Sequence, residues 1–452
     1  MWYNLQRDYF IGECNVRKNI LKTTAVLLSL SLCIVSGGCF DTSCVVTDMV
    51  TGSDSKYSDI QTIQADTEYE KVTLNYGYNS LETDIQKQLY KSIESVVNAV
   101  SDETKEELYS MEEIELKDVS LSEGNIRVVI EAFNCDHPEI FWVSNTFGYY
   151  SDSSVTMVHL YSEFSGSDIN IMQAELNNKV EEFLADMPTG LSEYEREKYI
   201  HDKLINNCVY DEEADSSQGR ETAFTMYGAL VENSAVCEGY TKTMQYMLKL
   251  VGIESITVNG YSKSELHQWC LVNIDDKWYH LDATWDDQDA TEEQEAGVLY
   301  TYFNTSDAFI ETDHQVAKKY TTLTEDELCG TDGKDAVLFN LPLPECGFED
   351  ASYFSVEGAN FTAFDDYDCY DRIVNQLYKS ALNKEPSFSI KISEELDYND
   401  TIDKLFYNAP YEFFEYTSDV NKMMDTDYKI SDNLSIITYE EQSLVQIQLR
   451  YE

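Results

Sequence analysis

Gly228-Ala-Leu-Val-Glu-Asn-Ser-Ala-Val-Cys237-Glu-Gly-Tyr240 is followed downstream by Leu266-His267-Gln-Trp-Cys-Leu-Val-Asn-Ile274 and Asp275-Asp-Lys-Trp-Tyr-His-Leu-Asp282-Ala-Thr-Trp-Asp286. Met244, Met247, Leu248 and Val251 recur at helical spacing behind Cys237, and Gly252 suits the helix end. Ser234 reads as the N-cap of that helix, which puts Cys237 in the first turn. Free backbone N–H groups there favour an anion and can steady an oxyanion. A neighbouring imidazolium would lower the thiol pKa further. Residues 266–274 and 277–285 are rich in Trp, Val, Ile, Leu and Tyr, which predicts a hairpin. With Asp275 and Asp276 as a two-residue turn, Ile274 opposes Lys277 and His267 opposes Thr284. Asp282 then shares a face with His267 as its diagonal neighbour. A three-residue loop would place the two on opposite faces. Taken singly, Cys237 reads as a buried small hydrophobe, His267 as a satisfied strand histidine and Asp282 as a strand-end acid. Taken together they form a nucleophile, base and orienter set.

The stretch over about residues 190–314 resembles the transglutaminase-like superfamily, papain-like in active-site logic, and especially its bacterial cell-surface branch. The resemblance rests on Glu197-Lys-Tyr-Ile-His-Asp-Lys-Leu204, Val209-Tyr-Asp211, Tyr227-Gly-Ala-Leu-Val231, Val236-Cys-Glu-Gly-Tyr240, the His267-x-Trp269 strand and Lys277-Trp-Tyr-x-Leu-Asp-x-Thr-Trp-Asp286. Tyr302-Phe-Asn-Thr-Ser-Asp307 and Asp313-His314 look like the family's end. It implies that Cys237, His267 and Asp282 are the catalytic residues. It also implies an α+β fold in which the Cys237 helix packs on an antiparallel sheet. Two departures stand out. Gln268 follows the histidine where a small residue is usual, and is expected to narrow the cleft. Asp276 sits where the turn usually carries Gly, and must tolerate a positive φ. Tyr227, or a polar residue near it, is a weak candidate for the side-chain oxyanion donor.

The chain has 452 residues, with 31 Lys and Arg against 84 Asp and Glu, a net charge of −53. That length holds two or three domains. A surface so acidic repels nucleic acid and anionic headgroups, so no nucleic-acid partner is expected. Solubility in a crowded exterior is the plain account, and a cationic substrate or wall polymer the sharper alternative. Arg17, Lys18 and Lys22 precede an apolar stretch from Ala25 to Val35, then Ser36-Gly37-Gly38-Cys39. This pattern over residues 1–39 reads as a secretory leader, too short for a comfortable membrane span. Cys39 resembles a lipoprotein cleavage site and is the lipidation candidate, although Ser36 stands where an aliphatic residue is usual. The expected location is the outer face of a bacterial cytoplasmic membrane, with membrane contact only through the N-terminal anchor.

Residues 40–65 read as a tether, 66–165 as an N-terminal α+β domain, 166–325 as the catalytic domain and 335–452 as a C-terminal α/β module. In the first of these, 71–76 looks like a strand, 84–100 and 126–133 like helices, and 140–143 like a buried strand after the Pro138 turn. His137 and Glu139 around that proline read as turn punctuation rather than metal ligands. Ser192-Glu-Tyr-Glu195 is a capping box, and His201 on the helix that follows reads as structural or solvent-facing. The acidic run 286–295 lacks calcium-loop spacing and reads as a solvated loop. Eleven cysteines are scattered without CxxC spacing, and histidines number six, so neither a disulfide framework, a zinc site nor another metal or cofactor is expected. A Cys329–Cys346 pair stays open. There is no internal repeat or Gly-rich phosphate loop.

The expected chemistry is attack of the Cys237 thiolate on an amide or peptide carbonyl, giving a thioester. Water would resolve it in a peptidase or amidase, which is favoured; an amine would resolve it in a crosslinking transglutaminase. The expected substrate is protein or wall peptide. A binding or scaffold protein on the same fold is the alternative from another class.

Overall fold

The computed structural model describes residues 69–105, 108–214, 220–288, 297–330 and 336–452. The leader with Cys39, the tether and residues 289–295 of the acidic run lie outside them.

Among the described residues, three sheets of four or five strands organise the fold, beside three two-stranded ladders. The first takes β1 (Thr104–Lys105), β2 (Leu108–Ser110), β3 (Ile114–Lys117), β4 (Phe147–Ser151) and β5 (Val155–Ser162), with order β1-β2-β5-β3 and β4 also on β5. Helices α1 (Asp84–Val96) and α2 (Glu123–Asp136) belong to this part. Thr83 and Gln86 close a reciprocal capping box on α1. Two sequence expectations fail here. Residues 71–75 pair in no ladder, and Tyr76–Ser80 is a short helix. The amides of Gly77 and Tyr78 donate instead to the buried Asp136 carboxylate at 2.7 and 2.8 Å. Residues 140–143 also form no strand, although Ile140, Phe141 and Trp142 are buried. They are held by side-chain packing and by the Trp142 indole N–H on the Val97 carbonyl at 2.7 Å.

Next come α3 (Gly166–Leu184), α4 (Glu193–Ile205) and α5 (Cys237–Leu250). The Ser192–Glu195 capping box starts α4 as expected. The central sheet is antiparallel: β6 (Ser255–Ser262), β7 (Glu265–Ile274), β8 (Lys277–Leu281), β9 (Phe303–Thr305) and β10 (His314–Val316), in order β9-β8-β7-β6-β10. Asp275 and Asp276 have φ of 51° and 62°, the left-handed pair of a two-residue hairpin turn. The ladder accordingly runs from Ile274↔Lys277 to Cys270↔Leu281, the expected register. Gly260 opposes His267 across the β6–β7 ladder. A Cβ there would meet the Gln315 carbonyl at 2.4 Å and the Trp269 ring at 2.6 Å, so glycine lets β10 and Trp269 close in. Met244, Met247, Leu248 and Val251 are buried, with α5 packed on β6 and β7.

The third sheet has β11 (Asn360–Phe361), β12 (Ser387–Ile392), β13 (Ser435–Tyr439) and β14 (Leu444–Gln448) in order β11-β12-β14-β13, with α6 (Tyr367–Asn383) and α7 (Phe413–Met423) beside it. The chain is thus mixed helix and sheet, and buried apolar side chains from all three parts form one contiguous core. No helix among the described residues is long and apolar enough to cross a membrane. The seven described cysteines, Cys329 and Cys346 included, are not joined in disulfides.

Candidate active site

Cys237 is the first residue of α5, and its N-cap is Val236 in an extended conformation rather than Ser234. Ser234 is committed elsewhere: Ser234–Ala235 pairs in parallel with Val209–Tyr210. That ladder delivers the chain to the helix start. The thiol still occupies the first turn, where amides point out of the helix. Gly239 permits the close approach behind it, since a Cβ there would meet the Ala223 carbonyl and the Ala235 side chain at 2.7 Å each.

On β7, His267 places Nε2 2.6 Å from Asp282 Oδ2, and both groups are buried. Even strand parity from the two-residue turn makes this contact possible. A ladder irregularity between His280 and Leu281 precedes Asp282, whose own N–H leaves the strand for the Tyr302 carbonyl. The second carboxylate oxygen, Oδ1, accepts the amides of Thr284 and Trp285 at 3.0 and 3.1 Å. Burial disfavours the ionised form of Asp282, but the His267 charge and hydrogen bond, then His314, hold the carboxyl well below its usual range. Burial likewise pulls His267 down. The Asp282 charge and hydrogen bond outweigh it and, with a Cys237 hydrogen bond, lift the imidazole to about 10. Trp269 stacks on the His267 ring at 5.7 Å and donates its indole N–H to His280 Nδ1 at 2.9 Å. An indole only donates, so His280 carries its proton on Nε2 and donates it to Asp307, 2.9 Å away.

Cys237 and His267 open on one cleft of about 440 Å³, lined also by Phe141, Trp142, Phe147 and Phe339. Gln268 lines it too, as expected, and its amide donates to Asn259 Oδ1 at 2.8 Å. Asn259 in turn donates to Glu131 of α2 at 2.7 Å. Burial raises the Glu131 carboxyl. The first part of the chain therefore forms one wall of the cleft. It is tied to α5 by Lys249–Glu139 at 2.9 Å and by Gln245 on the Cys135 carbonyl at 2.7 Å. Tyr227 does not supply an oxyanion donor, because its hydroxyl donates to Glu175 of α3 at 2.5 Å.

Two further histidines find their places only in the fold. His201, expected to be structural or solvent-facing, is structural: it is fully buried between Asp202 at 3.1 Å and Asp286 at 3.3 Å. Burial opposes its charge, and the two carboxylates overcome this to raise it to about 9. His314 carried no assigned role in the sequence beyond closing a motif. It is buried with Nε2 3.1 Å from Asp282 Oδ2 and Nδ1 2.5 Å from Asp313. The signal for it was an imidazole beside an acid after the last strand of the set, and only closure of β10 onto β6 shows where it lands. Among the described residues, two groups, His267–Asp282–His314 and His280–Asp307–Cys346, bring ligand-type atoms within 4.8 Å of one another. His267 and His314 hydrogen-bond Asp282 in the first, and His280 and the Cys346 backbone amide hydrogen-bond Asp307 in the second.

Residues 182–283 match the family model described as the transglutaminase-like superfamily. The kyphoscoliosis peptidases of Mus musculus and Homo sapiens are each 27% identical, over 135 and 136 residues respectively. Those matches cover 27% of this chain and 20% of each relative's length. A solved structure described as a TGase aligns over 43% of this chain and 56% of its own, at 15% identity and a TM-score of 0.24. The matched segment holds Cys237, His267 and Asp282, and the chain carries a domain of the transglutaminase-like superfamily.

Proposed function

We propose that Cys237, His267 and Asp282 form a thiol acyl-transfer site acting on amide or peptide bonds. The observation that carries this is the 2.6 Å contact between His267 and Asp282 beside a helix-start thiol in one cleft. Asp282, by accepting at His267 Nε2, leaves Nδ1 for the thiol and favours the imidazolium that balances a thiolate. The thiolate sulfur attacks the carbonyl carbon, and the carbonyl electron pair moves to oxygen, which the first-turn amides of α5 are placed to steady. Collapse expels the amine, which takes its proton from His267, and leaves a thioester on Cys237. Water or a second amine then attacks with His267 as base, regenerating the thiol.

Hydrolysis is the favoured outcome and a protein the favoured substrate, with wall peptide or a host-derived protein as the narrower choices. The leader pattern puts this chemistry outside the cytoplasm in the same proposal, with Cys39 as the lipidated anchor. The test is proteolysis of a peptide library by the full chain, with and without a primary amine, against Cys237→Ala. Cleavage lost in the variant is expected. Products carrying the added amine would move the assignment to a crosslinker. Binding that survives Cys237→Ala, with no turnover in either protein, would make it a scaffold.

A further inference from the structure

His267 and His314 both direct Nε2 at Asp282 Oδ2, at 2.6 and 3.1 Å, so one carboxylate oxygen serves two imidazoles. The other nitrogen of His314 faces a second carboxylate, Asp313, at 2.5 Å. Ionised carboxylates only accept, so an imidazole with a carboxylate on each nitrogen carries a proton on both. We propose that His314 is a standing imidazolium and a positioning residue, which fixes Asp282 and makes His267 a stronger acid than Asp282 alone would. The catalytic part of this rests on the thiol acyl-transfer site proposed above.

The surroundings of the two rings are closed enough to count. His267 faces Asp282, His314 and Cys237, with the rings of Trp269 and Trp285 against it. His314 faces Asp282, Asp313 and His267, within ring contact of Trp269, Trp285 and Tyr302, and is close enough to His280 to influence it. Asp313 is itself held by the Tyr302 hydroxyl at 2.5 Å and by the Gln442 amide at 3.0 Å. Although burial opposes charge on all three groups, hydrogen bonding and opposite charge leave Asp282 and Asp313 below their ordinary values and His314 above its own. A second positive charge on the oxygen that His267 uses makes the His267 proton easier to release. An easily released proton is what an amine leaving group requires.

The experiment is nuclear magnetic resonance of the full chain with isotope-labelled histidines, six in all, assigned by single substitutions. His314 is expected to be protonated on both nitrogens at about pH 7.5, where a free histidine, with a pKa of about 6.5, has mostly lost one proton. His314→Gln keeps a donor toward Asp282 without the charge, and should raise the His267 midpoint by about one pH unit. A neutral His314 at pH 7, or an unmoved His267 midpoint in the variant, would overturn the proposal. Should His314→Gln not fold, Asp313→Asn replaces it. The His314 midpoint must then fall, and an unchanged one counts against the proposal equally. None of these readings depends on turnover. An inert Cys237 beside a standing His314 charge would therefore sink the acyl-transfer site and leave the charge assignment intact.

Discussion

Gln442, in the turn between β13 and β14, donates its side-chain amide to Asp313 at 3.0 Å, and Asp313 holds His314 at 2.5 Å. The third sheet therefore reaches the outer end of the row that runs through Asp282 to His267. Gln442→Ala removes one hydrogen-bond donor to the Asp313 carboxylate and leaves the rest of the row in place. The variant is expected to lose about 1 kcal/mol of stability and to slow Cys237 alkylation by roughly 2- to 5-fold, a modest misplacement rather than loss of the set. Denaturant unfolding and peptide-resolved alkylation would check the two numbers.

Glu197 on α4 is buried, accepts the Asn304 amide at 2.7 Å, and is pushed by burial up to about 8 from 4.5. The folded protein thus binds this proton more tightly than the unfolded chain does. Between about pH 4.5 and 8 the unfolded state sheds it first, so stability falls as pH rises through that window. At about 1.4 kcal/mol per tenfold change in proton affinity, the penalty above pH 8 is on the order of 5 kcal/mol. Glu197→Gln keeps the acceptor for Asn304 and removes the ionisation. The expected result is a protein more stable than wild type at alkaline pH and unchanged near pH 4, measured by thermal unfolding across the range.

Asp276 holds a φ of 62° in the hairpin turn, a conformation glycine reaches without steric cost. Asp276→Gly should stabilise the protein by about 0.5–1 kcal/mol and leave Cys237 reactivity unchanged, since the register stays the same. A loss of stability would show that the aspartate side chain contributes more than its backbone conformation costs.

What could be read from the sequence was local. The hairpin register followed from strand parity and a two-residue turn, both short-range properties, and it carried His267 onto the face of Asp282. The α4 capping box likewise lies within four consecutive residues. What the sequence misread or left open depended on partners far along the chain. Ser234 looks like a cap until Val209–Tyr210 claims its backbone. Residues 71–76 look like a strand until Asp136 captures the amides of Gly77 and Tyr78. His201 sits on a mostly polar helix, and only the arrival of Asp286 shows why it is buried. His314 needed β10 to close on β6 before its neighbour could be known.

The most direct test is the rate at which iodoacetamide alkylates Cys237, followed by peptide-resolved mass spectrometry against pH in wild type, His267→Ala and Asp282→Asn. Peptide resolution matters because the other described cysteines are buried thiols outside any disulfide. A helix-start thiol paired with His267 should react below pH 7 in wild type and slow on the order of 10²-fold or more in His267→Ala. Asp282→Asn should fall between the two. A Cys237 that reacts only as an ordinary thiol, with its pH profile unmoved by either substitution, would contradict the account.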